Sequence, residues 1–133
     1  ERERLHGHNY GVSARIVAKM GENGFSADYN LYKRCLQKLC DAHDEYMLLP
    51  GESPWLTIVE ENGEYQATFA GKTLRFPVDE TLVLPIVNVT VEALAHYLLD
   101  LVLTEGALGD LTELEIFVTS GAGQASSASW FAD

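Results

Sequence analysis

The amino-acid sequence predicts an α+β domain in which two helices cover one face of an antiparallel sheet. Three observations lead there. Tyr10, Val12, Ala14, Ile16 and Ala18 alternate with Gly11, Ser13, Arg15, Val17 and Lys19, the period of a half-buried strand. From Asp28, and again from Thr90, apolar residues recur at three and four, the period of an amphipathic helix. Leu114, Ile116 and Val118 then alternate once more.

The first strand ends at Gly21-Glu22-Asn23-Gly24, which reads as a turn. In the first helix Tyr32, Cys35, Leu36, Leu39 and Cys40 share a face, while Lys33, Arg34, Gln37 and Lys38 fall on the other, and Ser26 or Asp28 supplies the cap. After the run from His43 to Pro50 comes a Gly/Ser/Pro break. Residues 55 to 77 then read as a hairpin or meander, with Asn62-Gly63 between alternating runs as the strongest signal. Thr90 opens the second helix, with Glu92 in its first turn, where negative charge suits the helix dipole. Its apolar face carries Val91, Leu94, Ala95, Leu98, Leu101 and Val102, and His96 lies off it. Gly121-Ala122-Gly123 forms a turn before a last short strand over 125–131. The expectation is one domain over 1–133, with a hairpin insert at 51–86 and a first strand missing ahead of Glu1.

Composition narrows the function. Nine Lys and Arg against 20 Asp and Glu give a formal net charge of −11, which repels nucleic acid and anionic membrane surfaces. No apolar run approaches the ~20 residues that span a bilayer, and no secretion signal opens the chain, so a soluble cytoplasmic protein is expected. Cys35 and Cys40 stand five positions apart on one helix, point in different directions and cannot pair with each other. Both read as small apolar side chains. Asn88-Val89-Thr90 fits the glycosylation pattern but reads as a helix start.

The most informative run is Leu5-His6-Gly7-His8-Asn9-Tyr10. In an extended strand His6 and His8 point the same way, with Gly7 leaving room between them, and His8 shares the parity of the covered face. Two imidazoles converging on one point can grip zinc, which asks for a third protein ligand and an open position if it is to do chemistry.

This run, followed by an alternating strand, resembles the zinc signature of the 6-pyruvoyltetrahydropterin synthase and 6-carboxytetrahydropterin synthase family, which has the T-fold. Asp28-Tyr29 resembles the family's Asp-Phe step, and Asn88-Val89-Thr90-Val91-Glu92 its Asn-Thr-Thr-Ala-Glu run. Phe76-Pro77 and Leu84-Pro85 look like one bacterial and archaeal branch. The resemblance implies a barrel built by joining sheets of several subunits, a hexamer made as a dimer of trimers. It implies Zn2+ held by His6, His8 and a third histidine upstream of Glu1. It also implies a pterin pocket lined by Thr90, Val91 and Glu92.

The departures from the pattern concern catalysis. The family's acid/base cysteine would lie a few residues before His6, at Arg2 or upstream of the chain. Its Asp-His pair falls on Asp44 and Glu45 when Leu48-Leu49-Pro50 is the anchor, with His43 close by. The pterin-anchoring Glu falls on Ser120, and a hydroxyl cannot replace the charge-assisted pair a carboxylate makes. Two functions follow. One is a zinc-dependent lyase acting on 7,8-dihydroneopterin triphosphate or a related pterin, with Asp44, Glu45 and His43 handling protons. The other is a degenerate homologue that binds a pterin-like ligand without the reaction.

Overall fold

The computed structural model describes residues 4–19, 29–105, 111–121 and 123–133. β1 (Tyr10–Ala18) and β8 (Gln124–Phe131) flank β7 (Leu111–Ser120), and both pairings are antiparallel. The register runs from Tyr10 opposite Ser120 to Ile16 opposite Leu114, with a shift between Val17 and Ala18. Alternation sends Leu114, Ile116, Val118 and Ser120 inward and turns Glu113, Glu115, Phe117 and Thr119 outward. On the outer face Arg15 reaches Glu113 at 3.0 Å and Glu115 at 3.2 Å. The Ser127 hydroxyl donates to Glu115 at 2.8 Å. That bond, with Arg15 behind it, holds the Glu115 carboxyl below its ordinary value.

Two helices cover the inner face. α2 (Val91–Glu105) seats Leu94, Ala95, Leu98, Leu99 and Val102 over β7 and β8 in the main core. It begins where expected because the Thr90 hydroxyl accepts the Ala93 N–H at 3.1 Å, satisfying one of the helix's otherwise unbonded donors. α1 (Tyr29–Asp41) buries Leu39 and half-buries Tyr32, Cys35, Leu36 and Cys40, while Lys33, Arg34, Gln37 and Lys38 stay in water. The candidate caps Ser26 and Asp28, and the turn at 21–24, lie outside the described residues. Ala14, expected on the covered face, is exposed and borders an apolar cavity of about 350 Å³ between α1, β1 and β7. Both cysteines are free.

The sequence reading missed one pairing. β2 (Met47–Pro50) runs parallel to β6 (Thr81–Leu84), so that Leu48 faces Leu82 and Leu49 faces Val83 across the ladder. Each is a run of four residues without alternation, and such runs mark parallel strands covered on both sides. Between them lies the meander: β3 (Thr57–Glu61), β4 (Glu64–Phe69) and β5 (Lys72–Pro77), in that order in space. Asn62 and Gly63 take φ of 52° and 78°, the left-handed pair that a two-residue hairpin turn requires. A 3-10 turn, Val78–Glu80, returns the chain to β6. Among the described residues no helix is long and apolar enough to cross a membrane.

Ile116, on the strand that α2 packs against and both neighbouring strands pair with, has no exposed surface. Ile116→Ala is expected to cost about 2–5 kcal/mol, through lost transfer energy and an unfilled cavity. Chemical denaturation of the two proteins measures it, and a cost under ~1 kcal/mol would show that the site collapses without penalty.

Candidate functional site

A cavity of about 810 Å³, a size suited to a small-molecule ligand, opens at one end of the main sheet. Four pieces of chain meet around it: residues 6–10 leading into β1, the end of α1 with the turn after it, the start of β2, and one face of α2. His6, His8, His43, Asp44 and Glu45 all line it. Thr90, Val91, Glu92 and Ser120 do not.

His6 and His8 precede β1 rather than lying in it, and both are exposed instead of facing the covered side. Their ring centroids are nevertheless 4.5 Å apart. The His6 Nδ1–H donates to the Arg4 carbonyl at 2.6 Å. Since a carbonyl can only accept, the neutral ring keeps its lone pair on Nε2. His8 stacks on Tyr10 at 5.7 Å, and its Nδ1 shares a 3.3 Å hydrogen bond with the Ser120 hydroxyl. Partnering one ring nitrogen to orient the other is how metal-binding histidines are usually held. Burial raises the Tyr10 phenol above its ordinary value. A Cβ at Gly7 would meet nothing within 4 Å, so the expected need for space between the histidines has no basis in this chain. Among the described residues no group of three or more His, Cys, Asp and Glu is arranged to hold a metal ion.

The turn after α1 holds the acidic side of the cavity. Glu45 adopts φ 65°, a left-handed conformation that costs a non-glycine residue on the order of 1–3 kcal/mol and tends to gather at functional sites. It lies between the end of α1 and the β2 ladder. His43 is half-buried, with Nδ1 2.7 Å from the Leu39 carbonyl and Nε2 2.7 Å from the Tyr97 hydroxyl. Tyr97 is a lining residue that the sequence reading passed over, and burial, then the charge of Glu105, raises its phenol. The only sequence signal for it was an aromatic hydroxyl beside the apolar stripe of α2. Cys40 also lines the cavity; desolvation first, then Asp41 and Asp44, raises its thiol.

The residues expected to line a pterin pocket from α2 are used otherwise within this chain. Val91 belongs to the core, Thr90 caps the helix, and Glu92 is exposed in the first turn. The start of α2 reaches the cavity through Val89 and Leu94 instead. Ser120 is buried beneath His8, so its hydroxyl orients an imidazole where an anchoring carboxylate was expected.

A family model, 6-pyruvoyl tetrahydropterin synthase, matches residues 1–123. The chain belongs to that family. Among its relatives is a Methanocaldococcus jannaschii protein provisionally named 6-carboxy-5,6,7,8-tetrahydropterin synthase, 24% identical over 124 residues that span 90% of this chain and 76% of the relative. A 6-pyruvoyltetrahydropterin synthase from Plasmodium vivax superposes with a TM-score of 0.93 at 27% identity, over 99% of this chain and 85% of that one. Catalytic-residue mutants of it, with a glutamate replaced by alanine or by cysteine, match with the same TM-score at 26%. The Plasmodium falciparum enzyme gives 0.92 at 25%, with the same coverage of both chains. The T-fold expected from the histidine run is therefore the fold of this chain.

A thiol with a raised pKa holds less thiolate at any given pH, so Cys40 is expected to alkylate more slowly than a free thiol near neutrality. Asp41→Asn and Asp44→Asn should each speed it. Iodoacetamide labelling followed by peptide mass spectrometry reads the rates; a Cys40 that reacts as fast as glutathione at pH 7 would contradict the assignment.

Proposed function

We propose that this protein is a zinc-dependent lyase acting on 7,8-dihydroneopterin triphosphate or a closely related pterin, assembled as a homo-oligomer. The observation that carries the reading is the cavity itself. Two adjacent imidazoles and a strained acidic turn line the same space, in a chain of the 6-pyruvoyl tetrahydropterin synthase family.

The donor set fits zinc as far as it goes. His6 and His8 supply two nitrogen ligands in neighbouring positions, and the Arg4 carbonyl and Ser120 hydroxyl engage the opposite ring atoms. The third protein ligand is assigned to a residue outside those described. When bound, zinc polarises substrate hydroxyls and lowers their pKa, so that protons move at neutral pH.

The chain's own residues bind the ligand and handle the protons. Tyr10, Val89, Leu94 and Leu98 offer apolar and aromatic walls for a flat ring. A carboxylate takes the acid/base part that a cysteine has in the family, in keeping with the catalytic glutamate of the Plasmodium vivax enzyme. Two glutamates qualify. Glu45 borders the cavity, and Glu3 stands three positions before His6 in sequence, in the stretch where the resemblance puts the cysteine. The edges of β1 and β8, unpaired among the described residues, favour closure by further copies.

Zinc-loaded protein is expected to release inorganic triphosphate from 7,8-dihydroneopterin triphosphate and to lose that activity on chelation. Glu3→Gln or Glu45→Gln should cut kcat by about 10²–10⁴-fold, the range of general acid/base groups. Product chromatography and phosphate analysis read both. A wild type that binds pterin without turnover would identify the degenerate binder instead, and full activity in both variants would remove a carboxylate from proton transfer.

A further inference from the structure

The sequence offers His43 as an acid/base, yet both of its ring nitrogens are engaged. The Leu39 carbonyl, 2.7 Å from Nδ1, can only accept, so Nδ1 carries a hydrogen and the neutral ring keeps its lone pair on Nε2. That lone pair faces the Tyr97 hydroxyl at 2.7 Å, with the two rings edge to face at 5.4 Å and 76°. A ligand in the cavity cannot use Nε2 without displacing the phenol. The phenol oxygen, having donated its hydrogen to His43, still has acceptor capacity, and Tyr97 lines the same cavity as His6 and His8.

We propose that Tyr97 is the ligand-facing member of a two-residue proton relay, in which His43 takes up and returns the proton through the Tyr97 hydroxyl. The proposal rests on the lyase reading given above and adds a second proton-handling pair beside the carboxylate. As a ligand O–H or C–H proton passes to the Tyr97 oxygen, the phenol's own proton passes to Nε2 of His43. The ligand keeps the bonding electron pair, Tyr97 ends as neutral phenol, and His43 ends as imidazolium with its Nδ1–H still on Leu39. The reverse movement delivers the proton at a later step, so no oxidant or other co-reactant enters.

Two features favour transfer through the pair over a tyrosinate acting alone. Burial and Glu105 hold the Tyr97 proton on, so a charged phenolate is disfavoured and the proton must be replaced as it leaves. The Leu39 carbonyl belongs to the last turn of α1, and the negative end of a helix suits the cation formed on His43.

The pair can be tested on zinc-loaded, full-length protein with 7,8-dihydroneopterin triphosphate as the probe. Tyr97→Phe keeps the ring and its edge contact, and His43→Gln keeps a polar side chain. Each is expected to lower kcat by about a hundredfold, within the range for one acid/base group, with KM changed less than twofold. The double variant should be no slower than either single one, because residues acting as a unit are not additive. Nitrogen-15 spectra supply a readout independent of turnover: Tyr97→Phe should move the His43 Nε2 resonance to that of an imine nitrogen without a donor. An active wild type with undiminished Tyr97→Phe, single losses that multiply in the double variant, or an unmoved Nε2 resonance would each overturn the relay alone. An inactive wild type would overturn the lyase reading and the relay with it.

Discussion

The main sheet and the helix that covers it are registered to β7. It is paired on both edges, and its inward side chains are sealed by α2, leaving Ile116 and Val118 without exposed surface. Side chains alternate with a period of two, so a slip of one residue would bring Glu113 and Glu115 into the core and turn Leu114 and Ile116 to water. That penalty fixes the pairing of Tyr10 with Ser120. His8, two residues before Tyr10, is then carried over the last inward residue of β7, where the Ser120 hydroxyl meets its ring. The same burial seats α2, and with it Tyr97. A packing constraint thereby sets the position of polar groups at the end of the sheet.

The opposite wall of the cavity is held differently. α1 ends at Asp41, and the chain must turn within a few residues to enter β2, whose backbone is tied to β6 from Met47 opposite Thr81 onward. His43 braces the turn by reaching back to Leu39 and across to Tyr97, which ties the end of α1 to α2. Between that brace and the β2 ladder, Glu45 is left in a conformation a glycine would take more cheaply. A carboxylate kept there by the surrounding structure points to a use for the side chain, since nothing about the turn itself favours glutamate.

Much of the fold was legible because it follows from periodicity. The strand at 10–18, both helix faces, the cap at Thr90 and the Asn62-Gly63 turn each have a local physical cause that the sequence displays. The β2 and β6 pair was not legible, because apolar runs of three or four residues fit a buried strand, a buried helix or a loop packed on the core equally well. The site divides along the same line. His6 and His8 were visible as a spaced pair, and His43, Asp44 and Glu45 as departures from a family pattern. Tyr97 lies 54 positions from His43, and only folding brings their ring atoms together. Thr90, Val91 and Glu92, carried over from a family motif, have local roles that the sequence also displays: within this chain Thr90 caps the helix, Val91 enters the core and Glu92 stays exposed in the first turn.

Charge limits how a pterin triphosphate could lie in such a cavity. Asp41, Asp44 and Glu45 border it, and among its described lining residues none is Lys or Arg. With a net charge of −11 on the chain, a polyphosphate pushed into that space would meet repulsion from carboxylates and no ion-pair partner. On the lyase reading, the flat ring and its hydroxylated side chain would face no such penalty, with aromatic and apolar walls for the one and imidazoles for the other. On the lyase reading, the phosphates therefore point away from the acidic turn, toward water or toward basic residues outside the described cavity.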